Sequence, residues 1–175
     1  MLAQRRLLNF AGALACAALL GFALYAQYEL HLEPCPLCMF QRIGVAVLGV
    51  VFLAAALHHP RRWGVYVYAA LSALAALATI GVATRHVYIQ SQPPGTFPAC
   101  GAPLEVLFQM FSALEVIRKV LHAGGECAVI NWTFLGLSMP AWVLICVLVL
   151  GALGLIANRR PTRQRPPESS RSLAQ

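Results

Sequence analysis

The chain has 175 residues, of which 59% are hydrophobic and 11% charged, and it carries a net charge of +7. Its mean hydropathy is +0.70. Soluble globular domains devote roughly a quarter of their residues to charge, so this composition excludes an ordinary soluble domain and names lipid as the solvent.

A hydrocarbon core about 30 Å thick takes about 20 consecutive, mostly apolar helical residues to cross. Four stretches meet that demand, at about 7–28, 39–57, 63–83 and 140–157. Backbone amides in lipid must be satisfied within their own segment, so each stretch is expected to be helical. Their Gly and Ala content permits close helix contact. The expectation is an all-α membrane protein, a bundle of four transmembrane helices forming one domain over 1–158. A basic tail over 159–175, rich in Pro and Arg, is expected to be disordered and to meet anionic headgroups.

The first stretch follows Arg5 and Arg6 and so resembles a secretory signal. Its length and the lack of a small-x-small cleavage site favour a retained helix. Cys16 within it reads as a small packing hydrophobe and not as a lipidation site.

Orientation follows from the basic residues, which cytoplasmic loops retain. Arg5, Arg6, Arg61, Arg62, Arg159, Arg160, Arg163, Arg165 and Arg171 fall on one side of a four-span arrangement. The other side holds Arg42, Arg85, Arg118 and Lys119 with five glutamates, Glu29, Glu33, Glu105, Glu115 and Glu126. Both termini are therefore expected in the cytoplasm. Topology accounts for the positive charge, and nucleic-acid binding need not be invoked.

Two loops then face outward, a short one at about 29–38 and a long one at about 85–139. A structureless loop of the second length is uncommon and usually functional. Within it, residues 103–122 read as one amphipathic helix, with Leu107, Met110, Phe111, Leu114, Ile117 and Leu121 at helical spacing. It is expected either to lie in the membrane interface or to pack on top of the bundle.

Four of the six cysteines, Cys35, Cys38, Cys100 and Cys127, fall in or beside those outward loops. Disulfides persist outside the cytoplasm, and four cysteines allow three pairings. Cys16 and Cys146 are mid-helix in apolar surroundings, where thiols are inert. Cys35 and Cys38 stand where the second helix begins, and the positive end of its dipole favours an anion there. Arg42 lies four residues after Cys38, on the same helical face. Both effects favour a thiolate, with Cys38 the better candidate. The plain alternative for Arg42 is a side chain snorkelling to the headgroups. Cys100 and Cys127 flank the amphipathic segment. A bridge between them would act as a staple of about 3 kcal/mol in the chain-entropy account, or as an exchangeable disulfide. A zinc site of four Cys ligands is a further alternative, weakened because the second pair lacks zinc-knuckle spacing.

Pro34-Cys35-Pro36-Leu37-Cys38-Met39-Phe40-Gln41-Arg42, and Cys127 followed by Trp132-Thr133-Phe134-Leu135-Gly136-Leu137-Ser138-Met139-Pro140-Ala141-Trp142, closely resemble the bacterial inner-membrane disulfide bond formation protein B (DsbB) family. The resemblance covers nearly the whole chain. It implies a quinone-dependent enzyme that reoxidises a periplasmic, DsbA-like dithiol oxidase, using ubiquinone or menaquinone as acceptor. It further implies that the partner attacks Cys100, that the freed Cys127 attacks Cys35, and that Cys38 is left as a thiolate beside the quinone. Arg42 and His86 match family residues near that quinone. Gln41 departs from the acidic residue that some family members carry beside the arginine, and the loop after His86 differs in detail. The competing class is a four-helix scaffold or adaptor whose disulfides are structural.

Overall fold

The computed structural model describes residues 2–58, 60, 63–93, 96, 104–122 and 125–158. Four long helices carry the fold: α1 (Leu2–Tyr28), α2 (Pro36–His58), α3 (Trp63–Gln90) and α6 (Met139–Ala157). All four are long and apolar enough to cross a membrane. Two short helices, α4 (Leu104–Met110) and α5 (Ala113–His122), lie between α3 and α6. A 3-10 turn at Gly125–Ala128 and a small hairpin, β1 (Thr133–Phe134) with β2 (Leu137–Ser138), complete that connection.

The long helices form a closed ring in which α1 packs on α2, α2 on α3, α3 on α6 and α6 on α1. The chain is a four-helix membrane bundle. Leu48, Phe52, Ala76 and Val147 fill its middle, together with Cys16, which is a packing residue and only 1% exposed. Without water there is no hydrophobic drive between helices in lipid, so close approach has to supply the attraction. Gly44 makes that approach possible between α2 and α3, since a Cβ there would fall 2.1 Å from the Thr79 hydroxyl. At one end of the bundle, buried Asn158 donates to the Asn9 side-chain oxygen (3.3 Å) and to the Gly154 carbonyl (2.9 Å). That pair ties the start of α1 to the end of α6, placing both ends of the described chain at one end of the bundle.

The helices depart from their expected limits for local reasons. Helix α2 begins at Pro36, because proline at the first helical position lacks the amide that would go unpaired there. Helix α3 runs to Gln90, beyond the expected 83, carrying Arg85 and His86 inside the helix. The single amphipathic helix expected over 103–122 is two helices. The break falls at Phe111 and Ser112, where the Ser112 hydroxyl (2.8 Å) and amide (3.1 Å) both donate to the Glu115 carboxylate. Ser followed three residues later by Glu is the capping-box signature of a helix start, so α5 starts anew there.

The expected apolar face of that segment is also corrected. Of the expected face, Leu107 is buried and Phe111 packs on the core, but Met110, Leu114, Ile117 and Leu121 point outward, and among the described residues Val116 and Val120 are the ones buried in α5. Leu107, Val116 and Val120 join Leu37, Ile89 and Cys127 in a second core at the end of the bundle opposite the Asn pair. Arg85 Nε donates to the Leu121 carbonyl (3.1 Å), pinning the end of α5 to α3. The hairpin turns through Leu135 (φ 51°) and Gly136 (φ 79°), the paired positive angles of a type I′ turn. Trp142 Nε1 donates to the Phe134 carbonyl (3.0 Å), and Trp132 stacks on Phe134. The tail at 159–175 lies outside the described residues.

Candidate active site

The Cys-Pro-Leu-Cys quartet folds as the first turn of α2. Cys35 sits at the N-cap: its carbonyl accepts the first helical bond, from Met39 N (3.1 Å), and its sulfur accepts weakly from Cys38 N (3.4 Å). N-cap side chains take up such orphan amides. The two-residue spacing thereby brings the Cys35 and Cys38 sulfurs to 3.0 Å. Both lie at the positive end of the α2 dipole, which favours negative charge on sulfur.

Cys127 arrives from the 3-10 turn after α5 and is 1% exposed. His86, 2% exposed, reaches in from α3. The Cys35 and Cys127 sulfurs and the His86 ring nitrogen lie within 4.8 Å of one another. His86 Nε2 is 3.2 Å from the Cys127 carbonyl and 3.8 Å from the Cys35 sulfur, and Nδ1 is 2.9 Å from Gln41 Nε2. A carbonyl only accepts, so Nε2 carries the proton and Nδ1 accepts from the Gln41 amide. This neutral tautomer is assigned from the network.

The thiols polarise one another. Cys35 is pushed above the usual thiol range, first by its hydrogen bond to Cys127, then by that to Cys38 and by burial. Cys127 is lowered, chiefly because Cys35 donates to it, against an opposing contribution from burial. Of this pair, Cys127 is therefore the more readily ionised and Cys35 the better proton holder. Exchange requires a thiolate beside the sulfur it attacks, and the more readily ionised Cys127 lies beside Cys35.

Four of the six residues singled out from sequence, Cys35, Cys38, His86 and Cys127, come together. Arg42 does not join the sulfurs. Its guanidinium donates to the Gln27 side-chain oxygen and to the Ala23 carbonyl (2.9 Å), both on α1. Cys100 lies outside the described residues. His31, His58 and His122 are exposed, and His59 lies outside the described residues.

Gln41, 3% exposed, is the contact that sequence reasoning passed over. The signal was present, because Leu37, Gln41, Val45, Leu48 and Phe52 form the buried stripe of α2. A polar residue in the buried stripe of a membrane helix is a functional candidate by position alone.

The family profile described as disulfide bond formation protein DsbB matches residues 5–157. The chain belongs to the DsbB family. A "Disulfide bond formation protein B" of Methylococcus capsulatus is 50% identical over 145 residues, 83% of this chain and 88% of the relative. One from Hahella chejuensis is 47% identical over 157 residues, covering 89% and 95%, and one from Nitrosococcus oceani is 44% identical over 146 residues, covering 83% and 86%. Family membership thus spans the whole bundle and the cysteine-bearing connection. The chain is a multi-pass membrane protein of the disulfide-forming class.

Proposed function

We propose that this protein reoxidises a soluble, periplasmic DsbA-like dithiol oxidase and passes the electrons to membrane quinone. DsbA, DsbB and quinone are the standard case of a periplasm kept oxidising kinetically. The observation that carries the reading is the Cys127 sulfur beside Cys35, with Cys38 at 3.0 Å on the same helical turn. The Arg distribution supports placing the cysteine end in the periplasm of a bacterial inner membrane.

The partner dithiolate reduces a Cys100–Cys127 disulfide: it bonds to Cys100, frees Cys127, and leaves oxidised when its second thiol closes its own disulfide. Cys127 then attacks Cys35 of a Cys35–Cys38 disulfide, and the electron pair moves to Cys38. Cys100 recloses on Cys127, which leaves Cys35 and Cys38 reduced by two electrons. Cys38 is held as a thiolate by the α2 dipole. His86 orders the Cys127 turn through its carbonyl bond.

The residues fit a quinone on the chemistry of the donor set. A guanidinium has five N–H donors, and the α1 contacts use two, so Arg42 retains donors for a carbonyl oxygen one turn from Cys38. Arg42 would hold the quinone, which when bound accepts two electrons and two protons; His86, with both ring nitrogens engaged, would reach it only by releasing the Cys127 carbonyl. Outward-facing Met110, Leu114, Ile117 and Leu121 suit contact with the bilayer interface, keeping the loop near the membrane.

The test is to express the protein with a periplasmic thioredoxin-like partner whose second active-site cysteine is replaced by Ser, so that the partner's remaining thiolate opens the Cys100–Cys127 disulfide and cannot leave. A mixed disulfide through Cys100 is expected to accumulate. Its absence, with wild-type rates of oxidation of the intact partner by a Cys127→Ser variant, would overturn the relay.

A further inference from the structure

We propose that the reduced protein presents a metal site, with Cys35, Cys38, Cys127 and His86 forming a Cys3His set that takes one zinc-class divalent ion and is thereby arrested. The inference does not rest on the partner or the quinone. It asks only that three thiols and one imidazole be presented together.

Three of the four ligand atoms, from Cys35, Cys127 and His86, are already grouped, and Cys38 joins them through its contact with Cys35. Tetrahedral zinc, with Zn–S about 2.3 Å and Zn–N about 2.0–2.1 Å, sets its ligand atoms roughly 3.5–3.8 Å apart. The Cys35 sulfur and His86 Nε2 are 3.8 Å apart. The Cys35 to Cys38 separation of 3.0 Å has to open by less than about 1 Å. The Cys35, Cys127 and His86 atoms, within 4.8 Å of one another, have to close by at most about 1 Å. The ligands come from the start of α2, from α3 and from the 3-10 turn, so the site exists only in the folded chain. Cys100 is not needed: the fourth ligand is a histidine from α3, which spacing along the cysteines alone does not reveal.

The surroundings of the ligands complete the site. A metal-bound histidine almost always donates its other ring N–H to an oxygen. Nδ1 of His86 already faces the buried Gln41 amide at 2.9 Å. A half-turn of that amide presents Oε1 in place of Nε2, converting a ring that accepts from Gln41 into one that donates to it. Nε2 then leaves the Cys127 carbonyl for the ion. Zinc with three thiolates has a net charge of −1, and the α2 N-terminus favours that charge.

Binding takes all three sulfurs as thiolates, displacing the proton that Cys35 holds and any other remaining on the set, and involves no change of oxidation state. A Cys35–Cys38 disulfide removes two ligands, so only the electron-loaded protein binds. The occupied form cannot exchange, because each sulfur's nucleophilic electron pair is committed to the ion.

The experiment is a titration of the reduced, detergent-solubilised full chain with Co2+ as an optical probe, followed by Zn2+ against a chromophoric chelator. Expected is one Co2+ per chain with a sulfur-to-cobalt charge-transfer band and tetrahedral visible bands, erased by Zn2+. Three thiols become protected from alkylation. Protein oxidised with diamide shows no band. Cys100→Ser keeps the band, His86→Ala loses its tetrahedral intensity, and Gln41→Leu weakens binding by about 10–100-fold. No charge-transfer band in the reduced wild-type chain overturns the proposal. So does a band that survives His86→Ala and disappears in Cys100→Ser. Because the readout is optical, either result stands whether or not the chain oxidises a partner.

Discussion

The two cores of this molecule are built by different rules. The middle of the bundle joins Cys16, Val45, Leu48, Phe52, Ala76, Val147 and Leu150 from four lipid-crossing helices. The core at the cysteine end joins Leu37 and Ile89, from the ends of two such helices, to Leu107, Val116, Val120 and Cys127 from short elements between α3 and α6. The first makes the protein a membrane bundle. The second buries the Cys127 sulfur and closes short elements over the end of the bundle where the half-buried Cys35 and Cys38 lie. In the proposed relay, exchange takes place at this site, where Cys127 meets Cys35.

The sharpest way to break this division is to remove the sulfur at its far edge. Cys38→Ser is expected to lower quinone-dependent oxidation of a dithiol partner by at least about 10³-fold, as losing a covalent participant does, while the bundle stays folded. Circular dichroism and partner oxidation in one preparation check both halves. Full turnover in Cys38→Ser would remove the second core from the reaction.

The next test sets the cores against each other. Phe52, fully buried in the first, is expected to cost about 3 kcal/mol or more as Phe52→Ala, by lost contacts and a cavity. Val116→Ala, in the second core, deletes two methyl groups worth about 1–2 kcal/mol. Its effect should fall on the amide protection of α4 and α5 and on the Cys127 to Cys35 step, with the unfolding midpoint of the bundle little moved. Equal shifts of that midpoint in both variants would make the two cores one cooperative unit.

The same contrast sorts what the sequence made legible. The four spans could be read because a lipid-crossing helix is written as a continuous apolar run, as in 140–157. Cys35 and Cys38 could be read because their spacing is local. The end of α3 was hidden, since Arg85 and His86 interrupt hydropathy, and what buries His86 is a turn containing Cys127 far along the chain. The apolar residues of α5 misled for a related reason. Leu114, Ile117 and Leu121 are the larger hydrophobes, yet Val116 and Val120 meet the bundle, so periodicity marks an apolar face without saying whether that face meets the bundle. Arg42 lies one helical turn from Cys38, but the acceptors that claim it, Gln27 and the Ala23 carbonyl, belong to another helix.

A smaller effect concerns proton sharing within the second core. The Cys127 pKa is lowered from an ordinary value of 9.0, chiefly by the Cys35 thiol. A lowered folded value means that the thiolate's contribution to stability is fully present above the unfolded pKa and is lost as pH falls through the folded one. Thiolate absorbance assigned to Cys127, taken as the difference between the reduced parent and Cys127→Ser, should therefore persist below pH 9.0. In Cys35→Ala it should move up toward the ordinary range. An unchanged titration in Cys35→Ala would show that Cys35 does not hold the proton that tunes Cys127.

The smallest effect is expected at the cap that divides α4 from α5. Ser112 donates twice to Glu115, and the Glu115 pKa is lowered by those bonds, so the cap is formed above the ordinary carboxylate range and lost as pH falls through the lowered value. Ser112→Ala should speed amide exchange in the first turn of α5 and leave the bundle's unfolding midpoint where it was. Because Val116 and Val120 lie within the next two turns, fraying that reaches them should also slow the transfer from Cys127 to Cys35. Slowed transfer without faster α5 exchange would place the control of that step in the 3-10 turn and not in the helix before it.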